Sequence, residues 1–160
     1  MCESARVHVD SRPPFVTHCT RDDGKGDTIR CISLTQPWAS LVVTGAKKFE
    51  TRSWTTTYRG PLLIHAAKVM PKSACSFAWD CMMDKRPWQL PRGAIIGRVV
   101  LKNIYPTEEV APTLTSRELL YGDYTPGRWA WELADAEMFE QPIPYKGSLR
   151  LFEVTLLVGD

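Results

Sequence analysis

The sequence predicts an α+β domain in which short strands build a curved or closed β-barrel and helices sit at its periphery. Three observations carry this. Brief alternating or wholly apolar segments recur between Gly, Pro and Asp turn signals. Helical stripes are few, short and set between those segments. The apolar fraction of 44% over 160 residues is that of one globular domain.

Residues 1–28 stand apart. Pro13-Pro14, Asp22-Asp23-Gly24 and Gly26-Asp27 interrupt them, and they show no steady apolar period. They read as a flexible N-terminal extension, with the folded domain over residues 29–160. Residues 28–35 alternate, with Ile32 and Leu34 on one face, and read as a strand. Pro37 suits a first helical position, Trp38, Leu41, Val42 and Gly45 follow at helical spacing, and Gly45 stops the helix. Residues 48–54 read as a strand with Glu50, Arg52 and Trp54 on one face and Phe49 and Thr51 on the other. After the turn at Arg59-Gly60-Pro61, residues 62–66 are apolar enough for a central strand. Ala74, Phe77, Ala78, Cys81 and Met82 form a helical stripe, and residues 93–104 a long strand bent or bulged at Gly97. Thr115-Ser116-Arg117-Glu118 is a capping box opening a helix that stops at Gly122. Residues 128–133 and 148–157 are two further strands.

Charge and cysteine usage narrow the function. A net charge of +2 excludes a binder held by bulk basic charge and an acidic solvating chain. No apolar run approaches the roughly 18–20 residues that span a bilayer, and no apolar stretch opens the chain as a secretory leader would. Five cysteines without a CxxC pair form neither a disulfide framework nor a zinc site. They read as small buried thiols of a reducing compartment, so the expected location is cytoplasmic, with no membrane partner, metal or cofactor. His8 and His18 lie in the extension, which leaves His65 as the one histidine of the folded part. Its place in the apolar strand predicts a structural role, or one supporting a neighbouring site residue, ahead of a catalytic one.

The chemistry concentrates in Gly45-Ala46-Lys47-Lys48-Phe49-Glu50-Thr51-Arg52. Gly45 turns the chain, Lys47 leaves the turn, and Glu50 and Arg52 share a strand face. The three could converge on a phosphate or carbonyl, with Lys47 a base if desolvated, or they could be a solvated salt-bridge row on a surface corner. Strand parity alone would pick Lys48 over Lys47, but the irregular turn after Gly45 breaks that rule. Gln36 and Trp38, at the other end of the helix, are further candidate lining.

Gly45, Lys47, Glu50 and Arg52 match a Gly-x-Lys-x-x-Glu-x-Arg pattern and so resemble the signature of the ASCH domain, the activating-signal-cointegrator homology domain. Gln36-Pro37-Trp38, Ser53-Trp54, Tyr58-Arg59-Gly60-Pro61, Leu63-Ile64-His65-Ala66, Gly93–Gly97, Trp129-Ala130-Trp131 and Pro142–Gly147 are similar to that family in the same order. The resemblance covers roughly residues 29–158. It implies a PUA-like β-barrel with peripheral helices, a cleft lined by the signature residues, and association with RNA.

Three readings follow. In the first, the domain binds RNA or a nucleotide. Lys47 and Arg52 would take a phosphate or base edge, Glu50 would accept from an exocyclic amine, and Trp54 or Tyr58 would stack on a base, with Gln36 and Trp38 completing the site. In the second it is a hydrolase. Some relatives resemble ribonucleases, for which Lys47 and Glu50 would be a base–acid pair. Others deacylate a modified cytidine with a lysine base and a threonine nucleophile, but Glu50 stands at the threonine's position, and alternation turns Thr51 and Ser53 away. In the third, the domain mediates protein interactions without chemistry and its tryptophans are core.

Overall fold

The computed structural model describes residues 27–81 and 85–156. The extension expected over residues 1–28 lies outside the described residues up to residue 26, as does Met82. Asp27 and Thr28 belong instead to the first strand.

Among the described residues six strands form one sheet: β1 (Asp27–Leu34), β2 (Phe49–Arg52), β3 (Gly60–Ala66), β4 (Ala94–Pro106), β5 (Trp129–Pro144) and β6 (Leu151–Leu156). Their order is β2-β5-β4-β3-β1-β6, with β1 and β3 parallel and every other neighbouring pair antiparallel. The α+β expectation holds, but the barrel does not close. Among the described residues no ladder joins the edge strands β2 and β6. β2 is only four residues long, and β6 pairs with β1 no further than Ile32. The Ser33 carbonyl beyond that point accepts instead from the Arg52 guanidinium at 2.9 Å. A side chain, not a strand, bridges the seam.

Among the described residues four α-helices accompany the sheet: α1 (Trp38–Val43), α2 (Lys72–Cys81), α3 (Thr107–Val110) and α4 (Ser116–Leu120). α1 buries Ala39, Val42 and Val43 against Ile32, Leu34, Leu62, Ile64, Val99, Leu101 and Trp131, the larger core. The opposite face gathers Cys31, Leu63, Ile95, Ile143 and Val154. β3 therefore reads as an unbroken apolar run because its central part is covered on both sides. Gly97 lies where the β4–β5 register shifts, as expected of a bulge. A Cβ there would come within 2.3 Å of the Glu137 carbonyl and 2.7 Å of Val43, so glycine lets α1 sit directly on the strand.

Several boundaries move. Pro37 caps α1 rather than opening it, and Trp38 is the first helical residue. The second strand spans Phe49–Arg52 and leaves Lys48, Ser53 and Trp54 outside it. β5 runs eleven residues past the expected end at 133, through a polar stretch without clean alternation. Register shifts in its pairing with β4 break the period there.

Candidate functional site

The turn after α1 builds the site. Gly45 takes φ +78°, a left-handed conformation that an L side chain adopts only with strain. Its N–H donates to Val42 O at 3.0 Å, and the Lys47 N–H folds back onto Leu41 O at 2.9 Å. Lys47 is thereby fixed before the strand begins and points inward. It is 1% exposed, with Nζ 3.1 Å from Glu50 Oε2 and also donating to Phe49 O. Arg52 Nε lies 3.1 Å from Glu50 Oε1. Glu50, 14% exposed, is thus clamped between two cations, each on its own oxygen. An ionised carboxylate accepts about four hydrogen bonds, so lone pairs remain for a ligand.

A second segment locks β2 from outside. Thr115 accepts from the Glu118 N–H at 3.2 Å, which is half of the expected capping box. The returning half is missing because the Glu118 carboxylate accepts instead from the N–H groups of Lys48 and Phe49, each at 3.0 Å. This holds the chain after α4 against β2, where Thr51 Oγ1 accepts from the Asp123 N–H at 3.0 Å. Asp123 accepts from Thr125 and pairs with Arg128 at 3.4 Å, contacts that hold its carboxyl below the usual range. Burial, together with the negative charges of Glu118 and Glu50, pushes the Tyr124 phenol well above its ordinary value.

Between these segments lies a cleft of about 560 Å³, within the roughly 300–1,000 Å³ of small-ligand sites. Glu50, Arg52, Trp38 and Trp54 line it, with Ser33 and Thr35 of the β1 end and the 121–123 turn opposite. Phe77 stacks on Trp38 at 5.5 Å without itself lining the cleft. Trp54 meets the Trp131 edge at 4.8 Å and carries the Arg150 guanidinium at 5.3 Å.

A family model, the ASCH domain, matches residues 32–143, more than half of the chain. The chain belongs to the ASCH domain family. Activating signal cointegrator 1 of Homo sapiens and of Mus musculus are each 54% identical to it over 78 residues, 44% of this chain and 13% of the relative. The chain therefore spans a small part of those proteins' length. Among solved structures, the ASCH protein of Zymomonas mobilis matches with a TM-score of 0.52 at 20% identity, over 78% of this chain and 86% of that one. Two mutant forms of it match with TM-scores of 0.50 at 19% identity, over 78% of this chain and 88% and 87% of theirs. At such identity the likeness concerns the fold, α+β and PUA-like.

Within this ASCH domain the expected site residues divide. Trp38, Glu50, Arg52 and Trp54 come together at the cleft. Lys47 lies behind Glu50 and is not among the lining residues, while Lys48 is exposed. Gln36 is fully buried: its Oε1 accepts from the Ser40 N–H at 3.1 Å and its Nε2 donates to Pro91 O at 2.8 Å. That is a helix cap and a loop tie. Tyr58 is half-buried against the larger core and donates to Pro61 O, away from the cleft. Thr51 and Ser53 both line the cleft, contrary to the expectation that alternation turns them away, although Thr51 lies within β2 and Ser53 just beyond it.

Asp123 and Arg128 were not legible as site residues. Their only sequence signals were the Gly122 stop and Glu118 in the capping box. His65 is buried, with Nε2 donating to Tyr145 O at 2.9 Å and Nδ1 2.9 Å from the Ser33 hydroxyl. A carbonyl only accepts, so the proton sits on Nε2. Among the described residues no group of His, Cys, Asp or Glu could hold a metal, and no helix is long and apolar enough to cross a membrane.

Proposed function

We propose that this ASCH domain binds RNA or a nucleotide by taking one base into the cleft, with Glu50 as the hydrogen-bond acceptor at its floor. The clamped Glu50 carboxylate carries the reading. Lys47 and Arg52 hold it aimed, so that it accepts from an exocyclic amine or ring N–H without reorganising. A charge-assisted bond of this kind is worth about 1.5–3 kcal/mol. Lys47 acts through Glu50 and not on a phosphate. Trp38, backed by Phe77, is a rigid apolar wall suited to a base face, and stacking contributes about 1–3 kcal/mol per base. The ASCH family is generally thought to bind RNA, which agrees.

Hydrolysis is less well supported. A general base must come within reach of the proton it removes, and the Lys47 ammonium is spent on Glu50 and Phe49 O. The name of the cointegrator relatives points toward protein interaction, but a half-buried, doubly paired carboxylate in a cleft is not what a protein-docking face requires.

Calorimetric titration of nucleoside monophosphates tests the reading. Wild type and Lys48→Ala are expected to bind alike. Glu50→Gln is expected to lose at least tenfold, and Ser53→Trp, which fills the mouth from an exposed position, to abolish binding. Unchanged affinity in Ser53→Trp would overturn the site. Release of product from labelled RNA or an acylated nucleoside would overturn the binding-only reading.

A further inference from the structure

A second cavity, of about 950 Å³, adjoins the first, and Ser33 and Thr35 line both. Their charges differ. In the cleft the two carboxylates, Glu50 and Asp123, are matched by Arg52 and Arg128 and paired with them. The cleft thus offers no unopposed cation to a phosphate. The second cavity is lined by Lys68, Arg92 and Lys146 and by no acidic residue. Among the described residues none of these three cations pairs with a carboxylate, and all three side chains are exposed. The floor is built. His65 ties the Tyr145 carbonyl and the Ser33 hydroxyl. Gly147 lies so close that a Cβ would come within 2.5 Å of the His65 ring and 2.7 Å of Ser33 Oγ. Segment 145–149, which carries Lys146, is thus pressed onto the ends of β1 and β3.

We propose that the second cavity is a phosphate track: a single-stranded polynucleotide places one base in the cleft and runs its flanking phosphates past Ser33 and Thr35 onto Lys68, Arg92 and Lys146. The proposal rests on the cleft reading and extends it from a nucleotide to a strand. The division of labour is physical. The charge-balanced cleft suits an uncharged base, and three unopposed cations suit consecutive phosphates.

The test compares a nucleoside monophosphate with a labelled oligoribonucleotide of about 8 nucleotides, a length that single-strand sites span, and with the same sequence as DNA. The proteins are wild type, Ser53→Trp and the triple variant Lys68→Gln, Arg92→Gln, Lys146→Gln, whose changes are all at exposed positions. Wild type is expected to bind the oligonucleotide more tightly than the monophosphate. Each phosphate contact contributes about 0.7 to the log–log salt slope of single-strand binding, so the triple variant should lose about 2 from that slope. Its monophosphate affinity should stay unchanged. Tighter binding of the RNA than of the DNA would assign the strand as RNA, and equal binding would assign the shared backbone chemistry. An unchanged salt slope would overturn the track while leaving the cleft intact. Loss of oligonucleotide binding in the triple variant, with Ser53→Trp binding both ligands normally, would overturn the cleft and the continuous path together.

Discussion

Replacing Glu50 by glutamine strands a buried ammonium. Lys47 is 1% exposed, and Glu50 Oε2 at 3.1 Å is its charged partner. Removing one member of a buried pair costs about 3–5 kcal/mol, chiefly because the other charge stays buried. Glu50 is 14% and Arg52 24% exposed, so water reaches part of the cluster and the low end, about 3 kcal/mol, applies. At roughly 2–4 °C per kcal/mol the Tm should fall by about 6–12 °C. The double variant Lys47→Met, Glu50→Gln removes the stranded charge and fills the same volume, and Arg52 keeps its bond to Ser33 O. It should therefore recover about 2 kcal/mol relative to Glu50→Gln. Urea denaturation followed by tryptophan fluorescence measures all corners of the cycle. Additive losses, or a Glu50→Gln loss below about 0.5 kcal/mol, would mean that these charges form a solvated surface row.

Three further outcomes follow from the geometry. Glu118→Ala should cost about 2–4 kcal/mol by stripping the acceptor from two backbone N–H groups, whereas Glu118→Gln should recover most of it, since Oε1 receives both 3.0 Å bonds and Oε2 only a longer one of 3.3 Å from the Lys48 N–H; equal losses in the two variants would contradict this. Gly147→Ala should cost about 1–3 kcal/mol through its clash with His65 and Ser33, read as a lowered urea midpoint, and an unchanged midpoint would show that segment 145–149 is not pressed onto the floor. Burial pushes the Cys31 thiol from 9.0 up to about 12; it should resist alkylation at pH 8 until the protein unfolds, unlike the half-buried Cys75. Because the unfolded chain releases that proton first, Cys31's contribution to stability is complete below pH 9 and is lost as pH rises toward 12. Rapid native labelling of Cys31, followed by mass spectrometry, would refute its burial.

Much of this molecule was legible because local chemistry and tertiary structure agree. Gly45 marks a helix stop in sequence and adopts φ +78° in the fold. Glu50 and Arg52 share a strand face and meet at 3.1 Å. Strand parity alone picks Lys48 over Lys47, yet Lys47 is the one buried against Glu50. A backbone bond to Leu41 O decides it, and no periodicity encodes such a bond. Gln36 and Tyr58 sit beside the site in sequence but spend their polar atoms on Pro91, Ser40 and Pro61. The open seam was hidden for a similar reason, since a short β2 and the reach of one guanidinium decide it. Asp123 and Arg128 arrive from a distant turn, fastened by a glutamate whose sequence context advertises a capping role.

The most direct test of the central claim is a nucleotide titration of 15N-labelled protein followed by NMR. If a base enters the cleft, the largest shifts fall on the Trp38 and Trp54 indole N–H groups and on the backbone amides of Ser53, Gly122 and Asp123. They should saturate together with one affinity and vanish in Ser53→Trp. Shifts confined to residues away from β2 and the 121–123 turn, or a response that Ser53→Trp leaves intact, would contradict the account.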